Sequence, residues 1–154
     1  MDARLRTIGD REAARPLEAR LDAAARESTE IHEGAPPPAG WAGRWLDAHL
    51  ADPLSLLLVA ETAEGAADLG VILVGGFDDP LGIERIPMIL LLSVDPRHRH
   101  RGLASALVER AQEVLGGRGH SRLAARAPHN DDARISMGER WGFVREWELL
   151  ERRS

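Results

Sequence analysis

Apolar residues along this chain follow two repeat patterns, one typical of strands and one typical of helices. Residues 54–60, 69–77 and 88–94 are short, nearly continuous apolar runs bounded by glycine, proline or aspartate, which predicts buried strands. Residues 64–68 predict the hairpin that joins the first two strands. From 103 to 115, apolar side chains recur every three or four positions between polar ones, which predicts an amphipathic helix. The pattern therefore predicts a sheet with at least one helix packed against it.

The rest of the chain predicts shorter elements of both kinds. In chain order they are a strand at 5–8, a helix from 17 to 25, a helix at 41–50, a strand at 122–126, a helix at 131–140 and a strand at 143–150. Residues 34–40 are rich in proline and glycine and predict a loop between the first two helices. The resulting order, β-α-α-β-β-β-α-β-α-β, favours one mixed sheet with helices on its faces. We expect a single domain over residues 1–154.

Composition narrows the class of protein. With 154 residues, 44% of them apolar and 29% charged, the chain has the size and balance of a soluble globular domain. It contains no cysteine, which excludes disulfides and thiolate chemistry, and no apolar run approaches the about 18 residues that cross a bilayer. The net charge of −5 argues against nucleic acid as a general partner. We therefore expect a soluble, cytoplasmic protein without a membrane partner.

The turn that follows the strand at 88–94 carries the strongest chemical signal. It contains three arginines that stay charged near neutral pH, Arg97, Arg99 and Arg101. It ends at Gly102, whose missing Cβ lets a ligand approach the backbone closely. The helix that starts here presents unpaired N–H groups and the positive end of its dipole, which favour an anion. Charged hydrogen bonds are worth about 1.5–3 kcal/mol each, so three or four could hold a pyrophosphate at this turn.

Other interpretations of the turn explain less. A nucleotide-binding P-loop is excluded because the chain contains no lysine, and a dinucleotide fingerprint would need a glycine where His100 stands. His98 and His100 could suggest paired metal ligands, but no third ligand with suitable spacing is apparent, so we expect no metal site. An ordinary connection with a solvated basic loop would explain the arginines alone. An RNA-contacting turn would bind in a salt-sensitive way, which the acidic balance of the chain disfavours.

The spacing Val94-x-Pro96-x-x-Arg99-x-x-Gly102-x-Ala104 resembles the acetyl-CoA signature of the GCN5-related N-acetyltransferase (GNAT) superfamily. The order of predicted elements is similar to that of the family over nearly the whole chain. The resemblance implies an α/β (α+β) fold with a mixed, mostly antiparallel central sheet whose fourth and fifth strands splay apart. It also implies acetyl-CoA, or another acyl-CoA, as the cofactor, with its pantetheine arm in the gap between those strands.

The resemblance implies which residues would hold the cofactor. The backbone of Leu92, Ser93 and Val94 would pair with pantetheine. Asn130, just beyond the fifth predicted strand, would contact the cofactor arm, and Trp-Gly-Phe at 141–143 matches the sequence that closes the last helix in the family. The residues that would surround the pyrophosphate are Arg99, His100, Arg101, Gly102, Leu103 and Ala104.

The chain departs from the family at the two positions most often used for catalysis. Many members carry an acidic residue six positions before the signature valine, where this chain has Met88. Many also carry a tyrosine four residues before the Gly-Phe pair, poised to protonate the departing thiolate. This chain has no tyrosine, and Gly138, or Met137 after an insertion, stands at that place. Ser136 is the nearest hydroxyl group and becomes the candidate proton donor.

Nearby carboxylates are the candidates for the general base. Glu84 lies four residues before Met88, and this even spacing keeps the two on one face of a strand. Asp79 and Asp78 come next, since they could act through water. The alternative is that all three are solvated hairpin charges. A positioned acid or base is worth about 10²–10⁴-fold, whereas holding the reactants together corresponds to effective molarities of roughly 10⁵–10⁸ M, so the missing groups do not exclude an enzyme.

The resemblance implies an acetyl-CoA-dependent N-acetyltransferase in which a primary amine attacks the thioester directly in a ternary complex. The alternative is a non-catalytic sensor or partner domain that binds CoA or acyl-CoA, which Met88 and the missing tyrosine would explain. The acceptor stays open between a small-molecule amine and a peptide amine, and dimerisation is common in the family. Trp41 and Trp45 lie four apart on a predicted helix, so we expect Trp45 to pack on the sheet and Trp41 to pack there or to line the acceptor cleft.

Overall fold

In the described part of the chain, four antiparallel strands form the central sheet in the order β1-β2-β3-β4. They are β1 (Ala3–Thr7), β2 (Leu56–Thr62), β3 (Asp68–Asp78) and β4 (Arg85–Val94). The three long apolar runs of the sequence form β2, β3 and β4, as predicted, and helices cover both faces of these strands. The computed structural model describes residues 3–31, 34–65, 68–79, 81–146 and 148–154.

The same residues contain five helices. A short helix, α1 (Arg11–Ala14), runs through a 3₁₀ turn into α2 (Glu18–Ile31), and α3 (Trp41–His49) follows the proline-rich loop. Helix α4 (Leu103–Gly117) follows β4, and α5 (Asp132–Arg140) comes last. None of the helices that the structure describes is long and apolar enough to cross a membrane. The order of these elements agrees with the order predicted from the sequence as far as α4, apart from the short α1 that precedes α2.

Helices pack on both faces of the sheet and divide the core into two clusters. On one face, Leu21 of α2 and Leu46 of α3 are buried against the strands. On the other face, Leu107 and Leu115 of α4 are buried, and Phe143 packs against the same cluster. We call these the α3 face and the α4 face. The predicted fold class, a mixed α/β fold with a mostly antiparallel sheet, is therefore confirmed.

Strand β4 carries a bulge near its middle. Its register against β3 shifts between Ile89 and Leu91, which leaves Leu90 as an extra residue. Side chains normally alternate between the two faces of a strand, but the extra residue puts both Leu90 and Leu91 on the α3 face. Ile89 lies on the α4 face. The bulge thus turns the side chain of Leu90 toward α3. Beyond this point the outer edge of β4 has no strand partner.

The fifth strand predicted at 122–126 is reduced to one bridge, so this prediction was wrong in extent. Ala124 forms an isolated parallel bridge with Met88: Ile89 N–H donates to Ala124 O at 2.8 Å, and Ala124 N–H donates to Pro87 O at 2.9 Å. Between Arg122 and Arg126 the segment offers Leu123, which packs on the α4 face, and two small alanines, which is little apolar surface to hold a longer strand. From the bridge onward to Val94, no other described strand pairs with the outer edge of β4. This opening, here the β4 gap, lies where the resemblance implied that the fourth and fifth strands splay apart.

The last strand predicted at 143–150 is also absent from the described residues, and Trp147 lies outside them. Val144, Leu149 and Leu150 are 73%, 93% and 89% exposed. A terminal strand needs a formed neighbour to pair with, and the single bridge at Ala124 provides no such edge. The prediction was wrong because it relied on the apolar residues of the segment itself. It did not consider whether the neighbouring segment around Ala124 forms a strand.

Candidate active site

A carboxylate begins the turn between β4 and α4. Asp95 accepts a hydrogen bond from the backbone N–H of Arg97 at 2.9 Å and two from its guanidinium at 3.2 and 3.0 Å. The side-chain bonds first, and then the backbone bond, lower the pKa of the Asp95 carboxyl far below its usual range. Asp95 N–H in turn donates to Leu69 O of β3 at 2.9 Å. The start of the turn is therefore fixed to the sheet, and the guanidinium of Arg97 is engaged.

Arg99 connects the turn to α2. Its Nε donates to Val94 O at 3.0 Å, and its Nη2 donates to Glu27 Oε1 at 3.2 Å. Arg20, two turns earlier on α2, reaches Ser93 O at 3.5 Å. The side chain of Arg99 thus has partners within the protein and supports the turn, while its predicted contact with pyrophosphate stays a prediction.

The backbone after Arg99 is open. His100 and Gly102 adopt left-handed φ angles of 62° and 80°. In the described part of the chain, no acceptor pairs with the amide N–H groups of residues 99 to 105. A Cβ built on Gly102 would meet no atom within 4 Å, so the space in front of it is free. The turn is not closed on itself, and its amides are available to an anion.

The side chains of the predicted phosphate-binding set divide into two groups. Arg101 and His100 are exposed, and neither side chain has a hydrogen-bond partner among the described residues. Leu103 is 7% exposed, and Ala104 packs with it against the α4 face. The side chain of Leu103 therefore points away from any ligand at the turn, and its backbone is the part that can reach one. The structure brings the whole predicted set together in one contiguous turn at one end of the β4 gap, here the turn end.

The outer edge of β4 presents two residues to the gap. Because Asp95 N–H bonds to β3, the alternation of an antiparallel ladder directs the backbone of Ser93 toward β3 as well. The backbone groups of Leu92 and Val94 then point outward, where the carbonyl of Val94 already accepts from Arg99. Of the three residues predicted to pair with pantetheine, Leu92 and Val94 have their backbone at the open edge and Ser93 does not.

The predicted bases lie at the other end of the gap, here the bridge end, around the pairing of Met88 with Ala124. Glu84 forms an ion pair with Arg122 at 2.6 Å, which joins the β3–β4 hairpin loop to the segment before the bridge. Asp79 accepts backbone hydrogen bonds within the same loop, including one from Glu84 N–H at 2.7 Å. Burial alone would raise the pKa of the Asp79 carboxyl, but these N–H groups together lower it. Both carboxylates therefore have structural partners, and their roles as bases stay predictions.

Asn130 and Ser136 are not joined to the gap by any hydrogen bond. Asn130 is exposed in the turn before α5, and Ser136 is exposed on that helix. Neither side chain is hydrogen-bonded within the described residues. Their predicted roles, contact with the cofactor arm and proton donation, stay predictions. In the same residues, no three His, Asp or Glu side chains are arranged to hold a metal ion.

Sequence reasoning missed the contacts at the bridge end on the α3 face. A Cβ on Gly75 would lie 2.7 Å from Cζ2 of Trp45 and 2.9 Å from Cδ1 of Leu90, so this glycine leaves room for both side chains. Trp45 in turn contacts the ring of His49, with the ring centroids 5.1 Å apart. A glycine inside an apolar strand is a recognised signal of close approach, and it could have pointed here. Trp45 packs on the sheet as predicted, but its meeting with Leu90 of β4 over Gly75 could not be predicted, because α3 and the bulge come together only in the folded chain.

Comparison with known proteins agrees with this geometry. Residues 21–143 match the model of the acetyltransferase (GNAT) family, which covers most of the chain. The chain therefore belongs to the acetyltransferase (GNAT) family, as its turn sequence suggested. The match includes the whole turn, the β4 gap and α5.

Solved structures share the fold over almost the full chain. A predicted acetyltransferase with acetyl-CoA from Clostridium acetobutylicum is 19% identical, with a TM-score of 0.71 over 99% of this chain and 96% of that one. An aminoglycoside antibiotic 6'-N-acetyltransferase from Acinetobacter baumannii is 13% identical, with a TM-score of 0.70 over 99% and 98% of the two chains. AAC(6')-Iy in complex with the bisubstrate analogue CoA-S-monomethyl-acetylneamine is 13% identical, with a TM-score of 0.73 over 100% and 99%. At these identities the similarity is one of fold.

Proposed function

We propose that the protein is an acetyl-CoA-dependent N-acetyltransferase that moves an acyl group to a primary amine by direct attack in a ternary complex. The observation that carries this proposal is the run of amides at residues 99 to 105, which has no partner among the described residues and lies beside the open edge of β4. Membership in the acetyltransferase family supports the same reading.

The turn end suits the pyrophosphate of CoA. Its free N–H groups lie at the positive end of the α4 dipole, and the open space at Gly102 allows phosphate oxygens to approach the backbone. Arg101 adds a guanidinium that is free to form a charged bond. At about 1.5–3 kcal/mol for each charged hydrogen bond, a few such bonds are enough to anchor the cofactor.

The β4 gap suits the pantetheine arm. The outward backbone groups of Leu92 and the N–H of Val94 need partners, and the amides of pantetheine can supply them in the manner of an added strand. The cofactor would then run from the turn end to the bridge end and bring its thioester near the bulge at Leu90. The acetyl-CoA and the CoA-based analogue named for two structural neighbours are consistent with this arrangement.

The reaction requires little from the side chains beyond placement. The amine nitrogen attacks the thioester carbonyl carbon, the C–S bond breaks, and sulfur leaves with the electron pair and acquires a proton while nitrogen loses one. Holding the two reactants in the gap corresponds to effective molarities of roughly 10⁵–10⁸ M, a larger effect than that of a positioned acid or base. The acceptor is a small-molecule or peptide amine.

Two measurements test the proposal. Isothermal titration calorimetry with CoA should give saturable binding whose affinity falls as salt rises, because phosphate contacts are partly ionic. Release of free thiol from acetyl-CoA, followed with a panel of amines, should exceed the rate without enzyme. Absence of CoA binding would refute the proposal.

A second candidate is a CoA-binding sensor without catalysis, favoured by the apolar Met88, which is 6% exposed at the bridge end. It predicts the same calorimetry but no thiol release with any amine. Thiol release with a single acceptor would exclude it.

A further inference from the structure

The β4 gap ends at a pair of backbone hydrogen bonds. Ile89 N–H donates to Ala124 O at 2.8 Å, and Ala124 N–H donates to Pro87 O at 2.9 Å. These bonds use the outward backbone groups of β4 at this level and join them to the segment around Ala124. A chain that enters the gap from the turn end and runs along β4 therefore meets the bridge at Ile89.

The open edge of β4 above this bridge is short. Leu92 has its backbone at the open edge, and toward the bridge Ile89 N–H is already bonded to Ala124 O. Leu92 and Ile89 are three positions apart, and Leu90 between them is the extra residue of the bulge. A strand advances about 3.3 Å per residue, and less across a bulge, so this part of the edge measures roughly 7–10 Å.

Packed side chains fill the α3 face beside this short edge. A Cβ on Gly75 would lie 2.7 Å from Cζ2 of Trp45 and 2.9 Å from Cδ1 of Leu90, so these two side chains occupy the space over the glycine. Met88 pairs with Gly75 across the two strands and is 6% exposed. Because protein interiors are close-packed, a group at the end of the gap would have to displace Leu90 or Met88 to move onto this face.

The α4 face is filled at the same level. Ile89 from β4 and Leu123 from the segment that carries the bridge both pack against the α4 cluster. The hydrogen bonds of Ala124 hold these two stretches of backbone side by side. The end of the gap is thus bounded by the bridge ahead and by apolar side chains on both faces.

The acyl end of the cofactor matches this length only when it is short. In the proposed arrangement a pantetheine amide pairs at Leu92, and five bonds lead from its nitrogen to the methyl carbon of an acetyl group. An extended chain advances about 1.2 Å per bond, so this methyl carbon lies about 6 Å beyond the amide. Non-bonded carbon atoms need about 3.5 Å, so acetyl already stands near contact with the bridge. Butanoyl is about 2.4 Å longer and would overlap it.

Building on the proposed function, we propose that the end of the β4 gap limits the transferred acyl group to about two carbons. The bridge between Met88 and Ala124 is the stop, and Leu90 is the specificity-determining residue on the α3 face. Its side chain occupies the space that a longer acyl chain would need. The protein therefore transfers acetyl and excludes butanoyl and longer groups from the reactive position.

An affinity comparison on the wild-type protein tests this inference without an acceptor. In an open apolar gap each buried methylene would raise affinity about fourfold, so butanoyl-CoA would bind about 15-fold more tightly than acetyl-CoA. With the gap closed by the bridge, we expect isothermal titration calorimetry to show butanoyl-CoA binding no more tightly than acetyl-CoA. A gain of tenfold or more for butanoyl-CoA would overturn the inference.

Matched variants test the role of Leu90. Leu90→Ala opens space beside the bridge, so we expect butanoyl-CoA to gain about tenfold in affinity relative to acetyl-CoA. Leu50→Ala removes the same atoms from the same core cluster, but at the end of α3 beside Ile8 and Gly9, and should keep the wild-type order. No gain in Leu90→Ala, or an equal gain in Leu50→Ala, would contradict the assignment. If Leu90→Ala does not fold, Leu90→Val should show a smaller gain in the same direction.

Turnover separates failure of this inference from failure of the proposed function. With any amine that releases thiol, kcat/KM of the wild type should be at least about tenfold lower for butanoyl-CoA than for acetyl-CoA, and Leu90→Ala should reduce this difference. If both donors transfer equally well, the limit on the acyl group is wrong and the transferase stands. If CoA does not bind, the transferase itself is refuted.

Discussion

At the turn end of the β4 gap, the amides of residues 99 to 105 have no partners among the described residues, whereas at the bridge end the carboxylates of Asp52, Asp79 and Glu84 are all paired. Unpaired donors beside open space are a site prepared for an anion. The bridge end instead carries carboxylates, of which Asp79 is held by backbone N–H groups, beside the buried Met88. The difference indicates that an anion fits the turn end and not the bridge end, in agreement with the proposed position of the pyrophosphate.

The largest expected effect comes from a substitution that disrupts anion binding at the turn end. Gly102→Glu puts a carboxylate against the phosphates, and like charges in contact are unfavourable by several kcal/mol, so CoA affinity should fall at least about 100-fold in calorimetry. Gly119→Glu is the matched control, because Gly119 also has a positive φ, of 92°, and a Cβ there meets no atom within 4 Å. Equal affinities of the two variants would contradict the placement of the pyrophosphate.

A second substitution disturbs the packing of Trp45 and Leu90 at the bridge end. Gly75→Ala brings a Cβ within 3 Å of Trp45 and Leu90, so we expect the free energy of unfolding in urea to fall by about 1–2 kcal/mol, with a change in tryptophan fluorescence. Gly116→Ala has open space inside α4 and should be neutral or stabilising by about 0.5–1 kcal/mol. CoA affinity of Gly75→Ala should stay close to that of the wild type. A fall as large as that of Gly102→Glu would mean that the two ends are not separate.

A smaller effect separates the arginines of the turn. Arg101→Ala removes a guanidinium that is free in the described residues, and we expect CoA affinity to fall about tenfold with a weaker dependence on salt. Arg97→Ala removes a guanidinium that is engaged with Asp95, so its effect on affinity should be smaller. Calorimetry at low and high salt checks both. The reverse order would show that the Asp95 contact opens when CoA binds.

The smallest effect concerns pH. The pKa of Asp95 is lowered in the folded protein, first by the side chain and then by the backbone of Arg97. Its contribution to stability is present above the ordinary aspartate value, about 3.9, and is lost as pH falls below it. Urea unfolding between pH 7 and 3 should therefore show a smaller loss of stability in Asp95→Asn than in the wild type. Parallel curves would contradict the role of this carboxylate in the turn.

Much of the architecture could be predicted from the sequence because its signals are local. Apolar runs, helix periodicity and the spacing from Val94 to Ala104 each act over a few residues, and they led to β2, β3, β4, α4 and the family. The strands predicted at 122–126 and 143–150 were wrong because a strand also depends on the edge beside it.

The sequence by itself determined that the chain is a mixed α/β acetyltransferase-family domain with a basic, glycine-containing turn after a buried strand. Only the tertiary structure decided what that turn offers: Glu27 and Val94 engage Arg99, and Arg101 is left exposed. It also decided that Trp45 and Leu90 meet over Gly75 at the bridge end. These contacts join residues far apart in the chain, and the spacing of residue types cannot encode which distant groups will neutralise one another once the sheet and helices have packed.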